Sequence, residues 1–293
     1  PKLGVDRDLL QAQIEKYYDE IFPTIQHVTR QRPEAIAFVA WAFERGYRVA
    51  VATNPYFPLK AVHHRMRWAG LPPDEHPFSL VSSYETFHFT KETGAYFYEF
   101  LGQLGWPSDP VVMVGNDLDM DLVPALNVGL PVFWVREGRD DGHPDIPQGT
   151  FADLKTWLEG VDPQKLCPAF DTPQACLAVL RSTPAALSAL TAHLSEQRWK
   201  CQPEPGEWCL TEIMCHLRDV DREVNLARLR KVLAESNPFI AAEITDKWIE
   251  ERKYGEQDGP QALQEFIAAR KELLALLEGL DPAAWSRTAR HGI

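Results

Sequence analysis

The sequence predicts an α/β half followed by an all-α half. Three observations predict it. Short β-rich apolar runs alternate with helical patterns up to about residue 135, a proline-bearing stretch covers 160–172, and long helical patterns without a convincing strand follow from 173 onward. Strands alternating with helices of roughly 10–15 residues indicate a parallel sheet. At 293 residues the chain is long enough for two domains of roughly 150 residues each.

The elements read in order as follows. DRDLLQAQIEKYYDE (6–20) is amphipathic and helical. A second helix starts at Pro33, a good first-turn residue, and ends near Arg45 before Gly46. YRVAVATN (47–54) fits a buried parallel strand. Pro58 opens a helix to about Ala69, and a short strand is expected near Ser79–Ser82. Residues 93–104 form a helix ended by Gly105 and Pro107. VVMVG (111–115) is a second strand, 119–127 a helix, and LPVFWV (130–135) a third strand. The segment 136–150 is polar and turn-rich, and a short helix follows at 151–159. Residues 161–172 read as a linker, and 173–196, 208–234 and 260–279 as the helices of a bundle. The expected architecture is a Rossmann-like parallel sheet over 1–160, then a helical bundle over 173–293.

Composition sets limits on partners. The net charge is −12, which argues against a broad footprint for nucleic acid or an anionic membrane. No run approaches the ~18 apolar residues of a membrane span. The five cysteines, Cys167, Cys176, Cys201, Cys209 and Cys215, form no close pair and are odd in number. A reducing, cytoplasmic setting fits them better than a disulfide framework. Cys209 and Cys215 are six apart and read as core cysteines rather than metal ligands.

Three polar groups sit at predicted strand ends, where an open parallel sheet binds ligands. Thr53 and Asn54 close the first strand, Lys91 lies in the loop FHFTKETG, and Asn116, Asp117, Asp119 and Asp121 follow VVMVG. A hydroxyl can bind phosphate oxygens, a lysine can balance their charge, and carboxylates can hold Mg2+. Alone, each has an ordinary explanation: a strand-end hydroxyl, a solvated lysine, a helix N-cap.

Together, VAVATNPYFP, FTKETGAYFYEFL and VVMVGNDLDMDLVPALNVGLPVFWV resemble motifs two, three and four of the haloacid-dehalogenase-like (HAD) superfamily, over about residues 1–150. The resemblance implies a bacterial, cytoplasmic, Mg2+-dependent phosphohydrolase of a small phosphorylated metabolite, working through an aspartyl-phosphate. Thr53 and Asn54 would bind phosphate, Lys91 would neutralise charge, and Asp121 with Asp117 or Asn116 would hold Mg2+. Asp119 reads as a helix-start residue, and His88 is a second-rank candidate. His63 and His64 read as an exposed helical face. The family's nucleophilic Asp-x-Asp strand has no counterpart here. Asp6 and Asp8 have no strand leading into them and read as helix-start acids. The nucleophile is therefore expected upstream of Pro1, with about 1–30 as a cap remnant and this chain inactive as given.

The second half carries one sharp feature. In PEPGEWCLTEIMCHLRDVDREV, a Trp-bearing turn leads into a helix with His216 near Glu212, Asp219 and Asp221. LRSTPAALSALTAHLSEQRWKCQPEPGEWCLTEIMCHLRDVDREV and EGLDPAAWSRTARHG resemble DinB-like proteins, over about 170–293. That resemblance implies a four-helix bundle whose last helix is missing here. It also implies a three-histidine Zn2+ or Ni2+ site to which His216 gives the first ligand. Trp208 reads as a core anchor and His291 as a loop residue. Two rival functions follow: a DinB-like thiol transferase with an accessory first half, or a binding protein without catalysis.

Overall fold

The computed structural model describes residues 7–106 and 109–292, so Asp6, Pro107 and Ile293 lie outside the described residues, as does the side chain of Asp8. The chain divides into two units, Pro1–Phe170 and Asp171–Ile293.

In the first unit, α1 (Arg7–Lys16) runs into a π-helical turn (Tyr17–Ile21) and a 3-10 segment (Phe22–Val28). Phe22 packs on Trp68 and Ala61, with Tyr18 and Phe57 alongside. α2 (Pro33–Glu44) starts on its proline, and α3 (Leu59–Trp68) buries Ala61, Val62, Met66 and Trp68 at helical spacing. α4 (Gly94–Gln103) is buried along most of its length and carries the fully buried Tyr96, Tyr98 and Glu99.

β1 (Met113–Gly115) leads through a π-helical turn (Leu118–Leu122) into α5 (Val123–Leu126), then β2 (Val132–Val135) and β3 (Gln148–Gly149). The three strands pair in parallel in the order β1-β2-β3, with Val114 opposite Phe133 and Val135 opposite Gly149. α6 (Phe151–Gly160) closes over β2, burying Leu154 against Phe133 and Val135. Its start is fixed by a reciprocal cap: Asp153 accepts the Thr150 amide and Thr150 accepts the Asp153 amide.

The extended Rossmann-like sheet expected for 1–160 does not form. YRVAVATN makes one bridge, Val51 to Val81, with the Val51 amide on Leu80 O and the Ser82 amide on Val51 O. Side chains take over where the ladder would continue. The Ser82 hydroxyl accepts the Thr53 amide and donates to Thr53 O, and the Tyr96 hydroxyl donates to the same carbonyl. The expected linker is partly built in as well. Pro163–Leu166 form a 3-10 turn, Leu166 is buried, and its carbonyl accepts the Val111 amide. Gly129, at φ +78°, lets the Ala169 carbonyl approach within 2.1 Å of where a Cβ would stand.

The second unit is a helical assembly. α7 (Pro173–Thr191) is capped by Thr172, and α8 (Glu196–Trp199) is one short turn. α9 (Leu210–Asp219) continues through a π-helical stretch (Val220–Asn225) into α10 (Leu226–Ala234). β4 (Phe239–Ile240), α11 (Trp248–Glu251), α12 (Gly259–Glu278) and β5 (Arg290–His291) complete it. Contrary to the strand-free expectation, β4 and β5 pair in parallel, Phe239 opposite Arg290. α12 packs on α9 and α7. The core between them holds Trp199, Met214, Cys215, Tyr254, Leu263 and Phe266.

Pro184 lies inside α7 and is buried. Having no N–H, it leaves the Leu180 carbonyl one turn earlier without its helical donor. Arg270 of α12 donates to that carbonyl from 3.2 Å. The same guanidinium grips Asp221 through Nε at 2.5 Å and Nη2 at 3.3 Å, and lies over the Phe266 ring. Side-chain exposure of the pair is only 8% and 2%. One cation thus joins all three long helical segments.

Breaking a buried pair from one side strands the remaining charge and costs about 3–5 kcal/mol. Arg270→Met should therefore lower the denaturant stability of this half by about that much. The double variant Arg270→Met with Asp221→Leu should recover most of the loss. A single variant as stable as the parent would remove Arg270 from this role.

Candidate functional site

The polar groups expected at the strand ends do meet, and they satisfy one another. Lys91 Nζ donates to Asp121 Oδ1 at 2.6 Å, with both side chains largely buried. Asp121 Oδ2 accepts the amides of Asn116 and Asp117 at 3.1 and 3.2 Å. Asp117 caps the following turn, accepting the amides of Asp119 and Met120. Asn54 Oδ1 accepts the Lys91 amide at 3.0 Å, and Thr53 is held through its main chain by Ser82 and Tyr96. Gly115 makes this closeness feasible: a Cβ there would stand 2.3 Å from Asp121 Cβ. Burial raises the Tyr96 phenol above its ordinary range, so it serves as a neutral donor.

Beside this rim, Glu99 is a residue the sequence reading passed over. It sits in the apolar run YFYEFL with no exposed surface. Its carboxylate accepts the amides of His88 and Phe89 and the ring Nδ1 of His88 at 2.7 Å. A lone acid among aromatics was the available signal. His63 and His64, expected on an exposed face, are half-covered. His64 stacks on Trp68, and burial lowers the His63 pKa.

In the helical half, α9 presents Thr211, Met214, Cys215 and Asp219 on its buried face, with His216 beside them. Trp208 packs edge-on against the His216 ring at a centroid distance of 5.0 Å. His216 Nδ1 is buried with no hydrogen-bond partner among the described residues. Burial lowers the His216 pKa, while the charges of Asp246 and Asp219 pull it the other way.

Asp219, one turn further along, accepts from Arg218 Nε at 2.6 Å, Arg252 Nη1 at 2.8 Å and Tyr254 Oη at 2.8 Å. Burial works against its charge, yet these donors hold its pKa below the usual carboxylate range. The thiols of Cys209 and Cys215 are buried and pushed up, Cys215 to about 11, which makes them inert core groups. His291 lies exposed on β5. Among the described residues, no group of three or more His, Cys, Asp or Glu side chains could hold a metal ion. Among the same residues, no helix is long and apolar enough to cross a membrane.

Comparison with known proteins bears on these two regions unequally. Residues 180–292 match the family model described as the DinB superfamily. A solved structure titled "YfiT from Bacillus subtilis is a probable metal-dependent hydrolase with an unusual four-helix bundle topology" is 20% identical, with a TM-score of 0.38. The match covers 43% of this chain and 71% of that one. No curated protein matches the chain.

The HAD phosphohydrolase reading is accordingly corrected. The family match falls on the helical half and is to a DinB model. In the structure Asp121 meets Lys91 and two amides, and Asp117 caps the turn that follows.

Lys91 is the counter-ion of Asp121 in this structure. Lys91→Ala should lower the stability of the first unit by about 3 kcal/mol, because Asp121 stays buried without its cation. Urea unfolding followed in this unit checks it, and a loss within about 0.5 kcal/mol, typical of a surface change, contradicts it.

Proposed function

We propose that residues 180–292, a DinB-like helical domain, are the functional unit of this chain and act as a metal-dependent hydrolase-type domain in which His216 is a metal donor. The observation that carries this reading is the His216 ring. One nitrogen is buried without a partner, and burial favours the neutral imidazole, the form that donates to a metal. Trp208 packs edge-on against the ring. Arg218, Arg252 and Tyr254 fix Asp219 one turn away.

A bound Zn2+ or Ni2+ would supply Lewis acidity and a water made acidic by the metal. Such ions take three or four protein ligands in stable sites. Among the described residues no three such donors come together around His216, so the full set does not fit here. The second reading is a binding module without catalysis.

Metal titration decides between them. Zn2+ or Ni2+ should bind weakly to the chain, with Ni2+ quenching the emission that Trp208→Phe removes. His216→Ala should weaken binding by roughly tenfold or more at unchanged helix content. Identical titrations for parent and His216→Ala would discard His216 as a donor. Hydrolysis that needs the metal but no added thiol would favour the hydrolase over thiol transfer.

A further inference from the structure

The loop Phe87–Thr93 is tied down at both ends by unlike means. At its far end the Lys91 amide meets Asn54 and the Lys91 ammonium meets Asp121. At its near end everything converges on one buried carboxylate. Glu99 of α4 accepts the amides of His88 and Phe89 and the His88 ring, and it has 0% exposure. The His88 ring is different: its side chain is 49% exposed, so solvent protons reach it.

We propose that His88 and Glu99 form a proton-operated latch that holds this loop, and with it Lys91, against α4. A carboxylate removed from water needs a cation or several donors to remain charged. With His88 protonated, Glu99 has a cation and two amides. With His88 neutral, the same oxygen keeps only neutral donors, and the loop amides lose part of what orders them.

The groups facing His88 make it a one-partner device. Glu99 is the charged group acting on it, and its hydrogen bond raises the His88 pKa while burial opposes. The other charged side chains of the stretch are engaged away from His88: Lys91 pairs with Asp121, and Glu92 accepts from Tyr56 and Thr90. Ser83 and Thr86 share a hydrogen bond, and Gln103 donates to Thr86 O. Phe87 anchors the loop start on Tyr96 and Phe100 whatever the pH. The sign follows from the raised pKa. The latch is closed below the unfolded histidine value of about 6.5, and its contribution is lost as pH rises through the higher folded value.

The test is amide hydrogen exchange on the full chain between about pH 5.5 and 8.5, corrected for intrinsic rates, beside an NMR titration of His88. The titration midpoint should lie above 6.5. Protection of the His88 and Phe89 amides should fall across it, by up to about tenfold for each pKa unit of the upward shift. His88→Gln keeps a neutral donor at an exposed position and should show protection that no longer varies with pH. A midpoint at or below 6.5, a flat profile in the parent, or the same slope in His88→Gln would each overturn the latch. Core amides such as that of Leu122 should show no such step in either protein.

Discussion

The helical half depends on one cation in its core. A proline in the middle of α7 frees a carbonyl that the helix cannot satisfy, and an aspartate at the π-helical turn after α9 brings a charge into an apolar interior. Neither is tolerable alone, since buried polar groups without partners each cost about 1–3 kcal/mol and unpaired charges more. Arg270 answers both, and its fork geometry allows it to do so at once. Apolar packing of Trp199, Met214 and Phe266 brings the helices together, while the ion pair restricts which register they adopt.

The signals for this arrangement are present in the sequence but weak one at a time. Helical periodicity delimits α7, α9 with α10, and α12 within a few residues, because their buried positions recur every three or four places. The pairing of Asp221 with Arg270 spans 49 residues and has no local signature. His216 with its Trp-bearing turn was legible as a motif; the enclosure of its Nδ1 was not, since burial depends on neighbouring chain segments. In the first half, β1 and β2 were legible from their apolar runs. YRVAVATN pairs with the expected segment 79–82 only briefly, through one bridge, because β-propensity reports a residue's fit to a pleated surface and not how far a ladder runs. Ser82 and Tyr96 supply hydroxyls where main-chain partners were expected.

The two halves solve the problem of buried charge differently. In the helical half the carboxylates are met by arginines, whose planar forks reach several acceptors: Arg218 spans Asp219, Gln257 and Glu265, and Arg252 spans Asp219 and Glu223. In the first half they are met mainly by backbone amides at turns, with a single lysine or histidine added. The first device fixes helices to one another across long sequence separations. The second fixes loops to the elements beside them, and so sets local shape more than global topology.

The closeness of Lys91 to Asp121 has a consequence for solutes at that rim. The carboxylate is already loaded with an ammonium, so an arriving cation has to be exchanged for it and cannot simply be added. A univalent ion would leave the local charge unchanged by such a swap and gains little from it. The rim thus carries its own counter-ion, tethered to the chain and always at hand.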